Sequence, residues 1–406
     1  MLEFFTSQFG VSVTLSVLVL SVLMGAVSYC IYFERKIAGW AQDRLGPNRV
    51  GPFGLFQPVA DGGKFLFKED IIPGHVDKPL FIFAPMLMFL VAFISFAAIP
   101  WGGTWLLEGK EVQVQVANPD IGLLYILGVC GIGVYGVVLG AWASNNKYSF
   151  FGGLRSAAQM ISYEIPLGVS ILVIVATVGE VRLEEITLSQ TGYWFGGAIP
   201  QWNIFLHPVA FVILFVTALA EANRTPFDLV EAEQELVGGF HTEYNAMKFG
   251  LFFLGEYAFM ITSSAMIAVL FFGGWHLPWL PWAQPEATGL VAVLVKIGVM
   301  CAKVTFSLFL MMWLRWTLPR FRFDQLMRLA WKGLIPLTLG LFVLAITLLH
   351  LGLERTWWAL LGNVVVVIIA VVCSAGSKRK ISGRQRNLPA IDASATRMAK
   401  ATEAST

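Results

Sequence analysis

The chain has 406 residues, 57% of them hydrophobic and 13% charged, against roughly 25% charged in ordinary soluble domains. That balance excludes a soluble globular domain and points to a polytopic protein of a lipid membrane with no nucleic-acid partner. The formal net charge of +2 decides little, because in a membrane protein the sidedness of charges matters more than their sum.

Runs of about 20 apolar residues predict an all-α, polytopic transmembrane helix bundle. Nine spans are read, near 11–33, 80–100, 121–143, 157–178, 205–221, 248–272, 289–314, 333–352 and 357–375. Before the first run Glu3 is the only charge, and the run ends in Glu34-Arg35-Lys36 rather than a small-residue cleavage site, so it is expected to be a retained helix. With the N-terminus outside, the inside segments hold 23 of the 28 Lys and Arg residues and the outside loops only Lys110, Arg182 and Arg355. The expected orientation is therefore N-out, C-in.

The inside loops are long and patterned. From Glu34 to Pro79, turns punctuated by Gly and Pro at 46–52 lead into Leu55–Phe67, where Phe56, Val59, Ala60 and Gly63 share one helical face and Asp61, Lys64 and Lys68 another. That pattern predicts an amphipathic helix lying on the cytoplasmic membrane surface. Asp61 and Lys64 stand beside the small residues Ala60, Gly62 and Gly63, which allow a flat ligand or another backbone to approach. Arg35, Lys36, Arg44 and Arg49 are explained individually as positive-inside anchors.

Gly131-Ile-Gly133-Val-Tyr-Gly136 matches a dinucleotide fingerprint, but it lies in an apolar span with no preceding strand and no acidic residue at the required distance. Close helix packing through Gly128, Gly131, Gly136 and Gly140 explains it better. Glu164 and Glu256 fall inside spans, where an ionised carboxylate is costly, so each is expected to be buried in protein on a proton path. Lys296 and Lys303 are seven residues apart on one face of their span, with Glu256 or Glu164 as candidate partners. A structural ion pair for Lys303 and snorkelling for Lys296 are the simpler alternatives.

The loop after the fifth span carries Glu221, Asp228, Glu231, Glu233, Glu235 and Glu243 against Arg224 and Lys248. An inside loop should be basic, so this acidity needs another cause, and proton handling is preferred over a merely solvated acidic loop. Were the segment helical, Glu221, Asp228, Glu231 and Glu235 would share a face, although Pro226 must sit near a helix start. The four cysteines lie in separate spans and the five histidines are scattered, so the chain is expected to carry no redox centre of its own. Residues 377–406 form a polar, initially basic tail without apolar periodicity, expected to be disordered in the cytoplasm.

Several of these stretches occur together in one known family. Glu34-Arg35-Lys36, Arg44 to Pro52, Gln57-Pro-Val-Ala-Asp61-Gly-Gly-Lys64, Ser162-Tyr-Glu164-Ile-Pro166 and Asn223-Arg-Thr-Pro-Phe-Asp228 through to Glu243-Tyr244 resemble the quinone-chamber membrane subunit of respiratory complex I. The resemblance runs from about residue 11 to 350, and the ninth span and basic tail favour a bacterial inner-membrane protein over the short mitochondrial form.

The resemblance implies a subunit of a proton-translocating NADH:quinone oxidoreductase, with quinone as substrate. FMN and iron-sulfur clusters would belong to partner subunits, among them those of the peripheral arm, beside small membrane subunits and antiporter-like subunits. Arg35, Trp40, Asp61 and Lys64 would line the quinone passage. Glu164, Glu221, Asp228, Glu231, Glu233, Glu235, Glu243 and Glu256 would form a carboxylate funnel and proton relay, with Lys303 as a charge partner. A tyrosine and a histidine holding the quinone head would belong to a partner. The rival readings are the homologous membrane subunit of a hydrogenase or formate-oxidising complex and a stand-alone secondary ion transporter. The latter calls for inverted repeats, which are not visible here.

Overall fold

The computed structural model describes residues 8–107, 109–194, 199–228, 237–353 and 355–386, with side chains described as far as residue 372. The chain is a helical, polytopic membrane protein. Its described helices are α1 (Gln8–Ala41), α2 (Gln57–Phe67), α3 (Lys78–Ile94), α4 (Gly122–Ala143), α5 (Lys147–Val178), α6 (Leu183–Leu188), α7 (Pro208–Glu221), α8 (Ala246–Phe271), α9 (Leu290–Thr317), α10 (Phe323–Arg328), α11 (Ile335–His350) and α12 (Trp357–Arg386). Seven helical stretches are long and apolar enough to cross a membrane, and Pro208–Glu221 and Trp357–Val372 are shorter apolar helices. A π-helical turn at Leu329–Leu334 joins α10 to α11.

α8 is the central post: 83% of its most apolar window is buried inside the protein, against 22% for α1, which faces outward over most of its length. Uniformly apolar helices such as α4 can bury any face, so small residues decide which side comes close. A side chain at Gly136 would lie 3.0 Å from Met88 Cβ of α3, and one at Gly140 3.1 Å from Phe252 of α8. The packing expected of the glycine row is found there, whereas Gly128 has nothing within 4 Å.

Caps and prolines set the helix ends. Asn146 accepts the Tyr148 N–H at 2.9 Å to start α5, and Gly179 ends it in the left-handed conformation at φ 82°. Pro166 removes the donor that would serve the Ser162 carbonyl, yet α5 runs on unbroken and Trp331 donates to Ser162 Oγ at 3.2 Å. After α7, Asn223 at φ 49° turns the chain, so Glu221 and Asp228 do not lie on one continuing helix as the spacing suggested. Glu231, Glu233 and Glu235 lie outside the described residues. α12 is described as far as Arg386, so the first part of the expected tail continues a helical backbone and 387–406 lie outside the described residues.

The helix ends divide into two faces. On one lie the ends of α1, α4, α7 and α9 and the starts of α3, α5 and α8; on the other lie two short hairpins, Thr104–Leu107 with Lys110–Gln113 and Tyr193–Trp194 with Ile199–Pro200. Lys303 belongs to the hairpin face. Its ammonium donates to the carbonyls of Phe272 at 2.6 Å, Gly274 at 2.7 Å and His276 at 2.6 Å. Lys296 donates to the Ala287 carbonyl at 2.8 Å and stands 4.5 Å above the Trp275 ring. The expectation that these lysines face Glu256 or Glu164 is therefore corrected: the acceptors the structure places at their ammonium groups are backbone carbonyls beyond the end of α8.

Beside Lys296, the buried Glu184 of α6 accepts from Trp275 Nε1 at 3.3 Å. Burial raises its carboxyl from 4.5 to about 7, with the Trp275 hydrogen bond and the Lys296 charge opposing the rise. A carboxyl raised on folding contributes stability that is complete below its unfolded value and is lost as pH climbs to the folded one. Glu184→Gln should therefore leave the melting temperature of the detergent-purified protein unchanged at pH 4.5 and raise it at pH 8, by a gain on the order of 2 kcal/mol. Equal melting curves at both pH values would show that the ionised form is already compensated.

Candidate functional site

On the charged face α1, α2, α8 and the end of α9 enclose a cavity of about 550 Å³. Its walls are apolar where α1 and α8 face it, at Met24, Ile31, Phe253 and Leu254, and polar at one end, where Glu34, Arg35, Asp61, Lys64 and Arg224 meet. α2 has the predicted amphipathic character but no buried residue, so apolar burial alone does not hold it. Arg35 pairs with Asp61 at 2.7 Å and Lys248 pairs with Asp70, two ion pairs that tie α2 and its following turn to α1 and α8. Tyr32 donates to the Phe53 carbonyl at 2.7 Å and fixes the turn that leads into α2. Gly62 and Gly63 have open space within 4 Å of where a Cβ would be, as their place beside Asp61 and Lys64 predicts.

The polar end is an ion cluster drawn from four parts of the chain. Glu34 of α1 accepts from the Tyr257 hydroxyl at 2.7 Å and pairs with Arg315 of α9. Arg224 of the turn after α7 approaches Glu34 at 3.9 Å and Glu256 at 3.8 Å, with its guanidinium 4.1 Å from the Tyr257 ring centre. Glu34, Arg224 and Glu256 are all buried. Burying one such charge without compensation costs several kcal/mol, so the two carboxylates and the arginine they share are buried as one cluster.

A second cavity, of about 700 Å³, lies toward the ends of α1 and the 44–49 turn. Arg44 and Arg49 line it, and Glu34, Arg35 and Gln57 line both cavities. Three arginines about one opening favour an anionic or strongly polar occupant.

The remaining carboxylates of the sequence reading form separate groups. Glu221 borders a small void of about 20 Å³ with Cys130, Thr262 and Ser263. A Cβ at Gly131 would come within 2.8 Å of Glu164 Oε1, so this glycine leaves the carboxylate its place. Asp228 pairs with Arg320 at 2.9 Å. Glu243 accepts from Asn146 at 2.6 Å, beside Tyr244, whose ring stacks on Phe81 at 4.0 Å. Gln159 of α5 holds this region together, donating to the carbonyls of Ala220 and Phe227, each at 2.9 Å.

Of the residues expected to line a passage, Arg35, Asp61 and Lys64 meet in the first cavity, while Trp40 is 66% exposed and lines neither. Glu34, Arg224, Tyr257, Arg315 and Gln57 were not assigned to the site from sequence. Arg224 gave a signal as one of two cations set against six acids, and Glu34 was masked by the basic pair that follows it. Tyr257 and Arg315 gave none, because 223 and 281 positions separate them from Glu34.

The NADH dehydrogenase family model matches residues 13–346. An NADH-quinone oxidoreductase subunit from Leptospira biflexa is 48% identical over 83% of the chain and 94% of its own length. Another from Cytophaga hutchinsonii is 48% identical over 77% and 88%, and NADH-quinone oxidoreductase subunit 8 of Rhodothermus marinus is 46% identical over 80% and 94%. The chain thus belongs to the NADH dehydrogenase family, alongside proteins named as subunits of NADH-quinone oxidoreductase.

Proposed function

We propose that this chain is the membrane subunit of a proton-translocating NADH-quinone oxidoreductase and forms the wall through which quinone passes from lipid to the site of its reduction. The observation that carries this reading is the first cavity, apolar along α1 and α8 and charged where Glu34 and Arg224 line it, with Glu256 next to Arg224. A lipid-soluble quinone has the same two-part chemistry, an apolar tail and a ring with two carbonyls. Arg35, Asp61 and Lys64 lie along its route, whereas Trp40 is exposed and lines neither cavity. The relatives' names favour this reading over a hydrogenase-type subunit or a lone ion transporter.

In this reading the bundle crosses the bacterial inner membrane nine times, N-out and C-in, with the charged face toward the cytoplasm. Partner subunits carry FMN and iron-sulfur clusters and complete the second cavity; small membrane and antiporter-like subunits continue the proton route. Reduction of quinone by two electrons creates negative charge that calls for two protons. Glu34 and Glu256 share Arg224, so charge appearing in the cavity alters the balance between them. The change passes to Glu221 and Glu164; Asp228, Glu231, Glu233, Glu235 and Glu243 belong to the acidic stretch of sequence that follows Glu221. Lys303, bound to backbone carbonyls on the hairpin face, holds the end of α8 and has no step in the transfer.

Filling the cavity tests the quinone route. Gly62→Trp in the assembled complex should abolish NADH:quinone activity while NADH:ferricyanide activity, which takes electrons before the quinone, stays at the wild-type rate. Full quinone reduction in that variant would refute the route. Glu256→Gln and Glu221→Gln test proton handling: each should lower quinone-coupled proton uptake by about tenfold, a modest loss for removal of an acid–base group. Unchanged uptake and turnover in both variants would take these carboxylates out of the path.

A further inference from the structure

We propose that Gln57 is a positioning residue that keeps the Arg35–Asp61 ion pair easy to open, so that the pair acts as a latch across the neck between the two cavities; this rests on the quinone reading above. Glu34, Arg35 and Gln57 are the side chains common to both linings, which places the neck at these three residues. Arg35 stands on α1, while Asp61 and Gln57 stand on α2. The Arg35–Asp61 bond therefore joins one wall of the neck to the other. Glu34 is already engaged by Tyr257 and Arg315 and belongs to the fixed floor.

The strength of the latch depends on how the Asp61 carboxylate is shared. Its Oδ2 accepts from Arg35 Nη1 at 2.7 Å, and its Oδ1 accepts from Gln57 Nε2 at 3.0 Å. Gln57 lies four positions before Asp61 on the same helix, so α2 itself holds the amide donor against the carboxylate. Gln57 thereby sets the rotation of the carboxylate, and in that orientation the Arg35 bond goes to Oδ2 rather than forming the two parallel hydrogen bonds that make arginine–carboxylate pairs strong. The pair is also partly open to solvent, with 48% of the Arg35 and 21% of the Asp61 side chain accessible, which weakens it further. Beside the latch, Gly62 leaves the space into which a passing ring moves. Removing the Gln57 donor lets the carboxylate rotate to present both oxygens to Arg35 and tightens the neck.

The experiment uses the complete oxidoreductase in native membranes, assayed with NADH and a long-tailed quinone, and with NADH and ferricyanide as a check on assembly. Gln57→Met, which keeps the side chain's reach and loses its donor, should lower kcat for quinone about fivefold as opening of the strengthened pair becomes limiting, with the ferricyanide rate unchanged. Arg35→Lys retains the charge but cannot bind in a fork, so adding Gln57→Met to it should produce no further loss. Gln57→Asn keeps the amide but falls short of Asp61 by one methylene; it should reproduce the kcat loss and serves if Gln57→Met does not assemble. A wild-type kcat in the assembled variant, or the same fivefold loss in the Arg35→Lys background, would overturn the latch. If Gly62→Trp abolishes quinone reduction while Gln57→Met and Gln57→Asn are silent, the latch alone is wrong; if Gly62→Trp is also silent, the quinone route itself is wrong.

Discussion

The burial of Arg224 between two carboxylates is the constraint on which the charged face depends. A guanidinium and two carboxylates cannot leave water separately, since each would cost several kcal/mol. They are buried together, with Arg315 and the Tyr257 hydroxyl on Glu34 and the Tyr257 ring against Arg224. This requires α1, the turn after α7, α8 and α9 to meet at one place, although the contacts join positions as far apart as 34 and 315. The tight turn at Asn223 serves the same end, because a helix continuing beyond Glu221 would carry Arg224 along its own axis rather than back toward α1.

The opposite face is built differently. Lys303 is satisfied by three carbonyls within 2.7 Å, and Lys296 by one carbonyl and the face of Trp275. These contacts fix the geometry at the end of α8. The two lysines anchor one end of the bundle, while the carboxylates at the other end retain groups that can change protonation.

The sequence was informative wherever a local pattern decides the outcome. Apolar runs located the long helices because a span needs nothing beyond its own backbone hydrogen bonds and an apolar surface. The amphipathic pattern of Gln57–Phe67 and the small residues Gly62 and Gly63 pointed to a ligand-facing helix, and these residues do face open space. What escaped was pairing across distance. Glu34 looked like part of a charged run at a helix end, and only the approach of Arg224, Tyr257 and Arg315 makes it the centre of a cluster. Lys303 was misassigned for the converse reason: its charge suggested a carboxylate partner, but the acceptors it found are carbonyls, which no side-chain pattern reveals.

α2 brings these lines together. A helix with no buried residue contributes little apolar stabilisation, and its position rests on polar contacts at Asp61 and at Asp70 beyond its end. Had α2 been packed tightly onto α8, the cavity beneath it would be filled. Had it been left without ion pairs, the Tyr32–Phe53 bond at the preceding turn and the Phe65–Phe249 ring contact would be left to hold it over the opening. Partly solvated ion pairs are a suitable compromise, strong enough to set a mean position and weak enough to yield to a ligand. The same property makes the wall sensitive to substitutions that alter how a carboxylate is shared, even where no contact with a ligand is lost.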